Sequence, residues 1–269
     1  MSQSLIVSHD GPLLRVTLDR PGKRNALTDE MVAGLIGAVQ DAGNDESVRA
    51  ILLTASGEHF CSGFDIIARN ARKDDGDNSN KPRTGSIQRR LPGTAHRLIP
   101  VLLETQVPVV AAVRGWAAGI GLAIALAADV TVASDTATFW APYTSRGFTP
   151  DSGVSWLLPR RIGEVRARRM LLLGEKINGE VAAGWGLIHE TVPDTSLDSY
   201  TERIAATLAN SATVAVGLAK WLLHAGQEAP LDAQLRNEAF AMELSSRSED
   251  FREGLAAFAA RRDPKFTGR

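Results

Sequence analysis

The run Pro108-Val109-Val110-Ala111-Ala112-Val113-Arg114-Gly115-Trp116-Ala117-Ala118-Gly119-Ile120-Gly121, continuing through Ala- and Leu-rich sequence to Ala128 and then Val130 to Ala133, decides the fold. Val109 to Val113 is a short apolar run introduced by a proline, as a buried strand would be. A glycine-punctuated turn follows, then a helix of Ala and Leu starting near Gly121, then a second strand over Val130 to Ala133. Strand, crossover, strand predicts parallel pairing with right-handed connections, hence an α/β core rather than a sandwich or a bundle.

Working outward, Ala50 to Ala55 reads as another fully buried strand, and Leu5 to Val7 and Leu13 to Leu18 as a hairpin around Asp10-Gly11-Pro12. Thr28 is placed to cap a helix through Val39, with Asp29 and Glu30 suiting its N-terminal dipole. Residues Asn70 to Gly93 are crowded with Lys, Arg, Asp, Asn, Gly and Pro, which predicts a mobile flap or a solvated insertion. After Gly163 helical patterns dominate: Arg166 to Leu173, Val181 to Trp185, Ser199 to Leu208, Val214 to His224, Leu231 to Ser245 and Asp250 to Arg261. The expected organisation is a core over residues 1–198 and a helical region over residues 199–269.

Composition narrows the partners. A chain of 269 residues with 44% hydrophobic content can bury a full core. The longest apolar stretch, Trp116 to Ala128, falls short of the roughly 20 residues that span a bilayer, so no membrane partner is expected. No basic segment followed by an apolar one opens the chain, and a single cysteine fits a reducing compartment; a cytoplasmic protein is the expectation. A net charge of −1 gives no general attraction to nucleic acid. The histidines, His9, His59, His96, His189 and His224, have no close ligand spacing.

Two glycine turns carry the chemistry: Phe60-Cys61-Ser62-Gly63-Phe64-Asp65 and Gly115 to Gly121. Glycine lets a main chain approach a ligand closely, so two such turns at strand ends can aim two N–H groups at one oxygen, an oxyanion hole. Close packing of helix on strand is the alternative use of the same glycines. Cys61, beside the first turn, reads better as a small buried hydrophobe than as a nucleophile.

These motifs, in order along most of the chain, resemble the crotonase, or enoyl-CoA hydratase/isomerase, superfamily. The resemblance takes in Asp19 to Leu27, Phe60 to Asp65, Pro108 to Asp129, Phe139 to Pro150, Gly174 to Leu187 and Phe258 to Gly268. It implies an α/β superhelix of repeated ββα units followed by a C-terminal helical trimerisation region, assembled as a homotrimer or a dimer of trimers. It also implies an acyl-CoA substrate, coenzyme A being part of that substrate, and no separate cofactor. The thioester oxygen would sit between the amides of Phe64 and Ile120, flanked by Ser62, Gly63 and Gly119. Lys23, Arg24, Ala26 and Leu27 would hold the CoA portion, with Lys265 contributing from a neighbouring subunit.

The resemblance breaks at the two glutamates that hydratases of the family use to position water: here Ala123 and Tyr143 stand in their places. Alanine transfers no proton, and a phenol is a poor base at neutral pH. Eight residues beyond Tyr143, Asp151 resembles the acid of the family's isomerase branch, where one carboxylate takes a proton from one carbon and returns it to another. An N-cap of the following helix is the other role open to it. Double-bond isomerisation is the expected reaction, ahead of hydration by an atypical route. A further branch, hydrolytic aryl-CoA dehalogenases, is similar in pairing an aspartate at Asp151 with a histidine at His96 and an aromatic at Tyr143. Trp140, Tyr143 and Phe148 would then wall an aromatic acyl pocket, core packing being the other use of such side chains. Acyl-CoA binding without turnover is the non-enzymatic possibility.

Overall fold

The computed structural model describes residues 4–66 and 84–269. Strand β1 (Leu5–Asp10) turns back through Gly11 into β2 (Leu13–Leu18), Asp10 facing Leu13 at the hairpin end. Thr28 caps helix α1 (Asp29–Asn44), its hydroxyl accepting the Met31 N–H at 3.2 Å. The helix runs five residues past the expected end at Val39, because Ala42 still lies on the buried face of Met31, Leu35 and Val39. The order continues with β3 (Ala50–Ala55), α2 (Ser86–Arg90), α3 (Leu98–Glu104), β4 (Val109–Val113), β5 (Trp116–Ala118), α4 (Ile120–Ala127), β6 (Val130–Ser134) and β7 (Thr138–Trp140). Then come α5 (Val154–Leu172), β8 (Lys176–Asn178), α6 (Gly179–Gly184), β9 (Glu190–Val192), α7 (Leu197–Ala209), α8 (Thr213–Ala225), α9 (Leu231–Ser245) and α10 (Glu249–Ala260).

One sheet has the order β1-β2-β3-β4-β6-β9, parallel throughout apart from the β1–β2 hairpin. A smaller sheet, β5-β7-β8, carries the segment after the second glycine turn. The alternation of strand side chains divides the larger sheet's contacts. Ile51, Leu53, Val109, Ala111 and Val113 join the main core with α1 and α4, while Ala50, Leu52 and Val110 pack against Ala205 and Ala209 of α7. Both faces are therefore covered, which is why these strands read as unbroken apolar runs.

Of the expected flap, residues 70–83 lie outside the described residues. The remainder contains the short helix α2, where the polar composition pointed to a loop. Helix α7 runs across the expected division at residues 198 and 199 and lies on the sheet. Helix α8 is anchored by Lys220, whose ammonium is 2.7 Å from Asp129 and donates to the carbonyls of Leu102 and Val107. Burial holds that ammonium below its ordinary pKa, against the opposing pull of Asp129. Among the described residues no single helix is long and apolar enough to cross a membrane.

Candidate active site

The first glycine turn is tied on both edges. On one edge Cys61 accepts from Ala118 N–H at 2.9 Å and donates to the Trp116 carbonyl at 2.7 Å, a parallel bridge to the second turn. On the other edge Ser62 N–H donates to Arg24, Leu27 N–H donates to Gly63 and Asp65 N–H donates to Leu27, at 2.8–3.0 Å. With the Gly63 carbonyl and the Asp65 amide both directed at Leu27, the Phe64 N–H leaves on the opposite edge of the chain. Arg20 reinforces the join, its guanidinium 2.8 Å from Asp65 and bonded to the Ala26 carbonyl.

The early loop is shaped by Asn25, which is fully buried at a φ of 52° next to Arg24 at 50°. Its amide oxygen accepts the Arg20 N–H and its amide nitrogen donates to the carbonyls of Ser56 and His59, so the turn is locked by satisfied hydrogen bonds. Lys23 and Arg24 are left exposed on its outside, and Ala26 and Leu27 run along the first turn.

At the second turn Gly119 holds φ 58°, ψ −121°, a conformation that side chains resist. A Cβ there would lie 3.8 Å from Gly63 Cα and 3.9 Å from the Tyr143 hydroxyl, so the two turns and Tyr143 meet at one place. Ile120 is the first residue of α4 and its amide has no acceptor within the helix. Gly121 lets α4 settle on the first turn: a Cβ would stand 2.6 Å from both Cys61 Cβ and its carbonyl oxygen. Cys61 is buried beneath, its thiol pushed up to about 12 by burial, and so is not the nucleophile.

A cavity of about 300 Å³ opens where the turns meet, lined by Ser62, Gly63, Phe64, Gly119, Ile120, Tyr143 and Asp151 among others. Among the described residues Asp151 is its only carboxylate. The Ser152 hydroxyl donates to Asp151 Oδ1 at 2.8 Å, fixing the carboxylate's orientation. Asp151 does not cap α5: the capping position is Gly153 and no side chain bonds the first turn of that helix. Tyr143 is buried, its ring edge-on to Phe148 at 5.7 Å, and its hydroxyl has no hydrogen bond of good geometry. Burial pushes this phenol above its ordinary pKa and the Asp151 charge adds to the effect, outweighing the Ser152 hydroxyl, so at neutral pH it stays protonated even more firmly than a free tyrosine and offers no phenolate to act as base. Ala123 is wholly buried in α4.

Other expected residues lie elsewhere. His96 does not line this cavity. It lines a second one, of about 610 Å³, which Asp151 also lines, together with Trp156 and His224, so that Asp151 borders both cavities. Trp140 lines neither: its indole N–H donates to the Gly174 carbonyl and its ring packs near Trp116 and Lys176. Lys265 is exposed on the tail, its N–H bonded to Glu253. Among the described residues no three His, Cys, Asp or Glu side chains are grouped to hold a metal ion. Sequence reading passed over Ile87, Arg90, Leu91 and Arg146, all of which line the cavity. The spacing of Ile87, Arg90 and Leu91, three and four residues apart, was the available sign of a helical face.

Two glycine turns and, among the described residues, one carboxylate thus meet around one small cavity on a mixed α/β scaffold. The sequence profile of the enoyl-CoA hydratase/isomerase family matches residues 9–269, and the chain belongs to that family. It is 36% identical to the 1,2-epoxyphenylacetyl-CoA isomerase of Escherichia coli, with 98% of each chain covered. It is 41% identical to a Rhodobacter capsulatus protein named "Probable enoyl-CoA hydratase", with 94% of each covered. The crystal structure of an enoyl-CoA hydratase from Bacillus anthracis superposes with a TM-score of 0.90 at 27% identity, over 99% of this chain and 100% of that one. The protein is thus an enzyme of the enoyl-CoA isomerase/hydratase type.

Proposed function

We propose that this enzyme moves the double bond of an enoyl-CoA thioester, with Asp151 as the only proton carrier and the Phe64 and Ile120 amides as oxyanion donors. Asp151 removes a proton from carbon 2 of a 3-enoyl thioester. The released electron pair conjugates with the carbonyl and negative charge collects on the thioester oxygen between the two amides, which bind it more strongly than the neutral carbonyl. The protonated carboxyl group then delivers the proton to carbon 4 and the double bond lies between carbons 2 and 3. No atom is gained or lost, and one carboxyl group serves both half-steps.

The observation that carries this reading is the sharing of one cavity by Phe64, Ile120 and Asp151, while Ala123 and the Tyr143 phenol stand where hydration would need two carboxylates. The likeness to an enzyme named an isomerase favours it, and leaves ring and dienoyl thioesters within the substrate range. His96 shares a cavity with Asp151, as hydrolysis of the dehalogenase kind would need, but not with Phe64 and Ile120, so a thioester held by those amides would lie away from it. Lys23 and Arg24 are suited to the CoA phosphates, with Lys265 reaching from a neighbouring subunit. Exposed Leu231, Leu235, Phe240 and Phe258 on α9 and α10 supply apolar contact for a homotrimer or dimer of trimers of the ββα superhelical type. In this reading residues 1–198 form the catalytic core, the protein works in the cytoplasm, and coenzyme A enters only as part of the substrate.

The test is product identification after incubation with 2-enoyl, 3-enoyl and aromatic CoA esters. Interconversion of the first two supports isomerisation; addition of water redirects the mechanism to hydration; tight binding of every ester without product favours a non-catalytic binder.

A further inference from the structure

The cavity that contains the oxyanion turns is apolar along most of its wall, with Ile87, Leu91, Tyr143 and Phe148 contributing, yet it carries two arginines, Arg90 from α2 and Arg146 from the turn after β7. Among the described residues its one carboxylate is Asp151, which the reaction needs for itself. Neither guanidinium has a carboxylate partner among the described residues. The Arg90 side chain makes one long contact, Nε to the Ser86 carbonyl at 3.4 Å, and the Arg146 guanidinium stands 5.4 Å from the Trp140 ring centroid. Two arginines that line one small, mostly apolar pocket from different elements, with no acid to hold them among the described residues, are suited to receive a planar anion through their N–H donors.

We propose that Arg90 and Arg146 recognise an anionic end on the acyl group, so that the preferred substrate is an ω-carboxyacyl thioester rather than a plain hydrocarbon one. This rests on the enoyl-CoA reading of the cavity. A volume of about 300 Å³ is at the small end for a ligand pocket, so a short acyl chain whose carbonyl meets Phe64 and Ile120 has its far end close to the arginine-bearing rim. A carboxylate drawn into apolar surroundings without a cation would be strongly disfavoured, and the two guanidiniums remove that cost. The other source of the same chemistry is a CoA phosphate. Lys23 and Arg24, which lie outside this cavity beside the first turn, are the cations suited to that role.

The experiment uses two unreactive probes of equal chain length, saturated hexanoyl-CoA and its counterpart ending in a carboxylate, titrated calorimetrically into wild type and into the Arg90→Gln/Arg146→Gln double variant. Charge-assisted paired hydrogen bonds predict that wild type prefers the carboxylated probe by about tenfold or more, and that the double variant loses the preference. Equal weakening of both probes in the variant would assign the arginines to a CoA phosphate and overturn the proposal. An unchanged ratio, or no preference in wild type, would leave them as solvated rim charges and overturn it too. Because neither probe reacts, these outcomes do not depend on which reaction is catalysed. If neither probe binds wild type, the acyl-CoA reading itself fails, and this inference with it.

Discussion

Around Cys61 and Ala117 the chain is held by main-chain bonds in both directions, whereas α9, α10 and the tail behind them hang on a few side chains. The first glycine turn is bonded to Trp116 and Ala118 on one edge and to Arg24 and Leu27 on the other. In the tail, Asp250 accepts the N–H groups of Thr267 and Gly268 and donates its own N–H to Arg269, and Glu253 holds Arg262 and Lys265. Much of the surface around those clamps is apolar and exposed, including Phe258 at 85%. The contrast has a physical sense. Catalysis by amides needs donors fixed before the charge develops, which backbone pairing provides. A region that completes itself against other copies of the chain can leave its apolar side uncovered within one subunit.

Substitutions separate the two regimes. The largest effect is expected at the carboxylate: Asp151→Asn should lower kcat by about 10²- to 10⁴-fold with little change in melting temperature, as steady-state kinetics and calorimetry would report. Next comes an amide. Ile120→Pro removes one N–H at a first helical position, where proline is accepted, and Ile120→Ala removes the same buried packing while keeping the N–H. The proline variant should be about 10²- to 10³-fold slower in kcat than the alanine variant. Equal rates would mean that this amide is not an oxyanion donor.

Stability should divide along the same line. Lys220→Met leaves Asp129 without its cation at the join between α8 and the sheet. Discounted for the partial exposure of Asp129, it should cost about 2–3 kcal/mol in denaturant unfolding. Gly121→Ala forces a methyl group into Cys61 and should cost about 1–3 kcal/mol together with some activity, since it moves one turn against the other. The smallest effect is a pH dependence confined to the tail. The Arg262 guanidinium, and then the Lys265 N–H, lower the Glu253 carboxyl from 4.5 to about 2. Its contribution is fully present above pH 4.5 and is lost as the pH falls toward 2. The protection factor of the amides near Lys265, the exchange rate corrected for its intrinsic pH dependence, should therefore fall across that interval in wild type and be flat in Glu253→Gln.

The legible parts of the molecule were those where burial is uniform. Strands β3, β4 and β6 announced themselves because both faces are covered, and α1 because Thr28 and the acids after it mark its start. The three-residue strands Trp116–Ala118, Thr138–Trp140 and Lys176–Asn178 are too short to show a period, so the second sheet was invisible. Helix α2 was hidden by its polar residues for the same reason that Asn70 to Gly93 read as one loop. Phe64, Ile120 and Asp151 were marked by glycine and proline neighbours whose backbone requirements leave a trace in sequence. Arg146 leaves none, and Arg90 only the helical spacing it shares with Ile87 and Leu91, since an arginine without an acid looks the same in sequence as one that has found its partner.

A crystal structure with a saturated acyl-CoA bound would test the central claim most directly. It should place the thioester oxygen about 2.7–3.1 Å from both the Phe64 and Ile120 nitrogens, with the Asp151 carboxylate against the carbons next to the carbonyl. A thioester oxygen bonded to neither amide, or an Asp151 turned away from the acyl chain, would contradict the account.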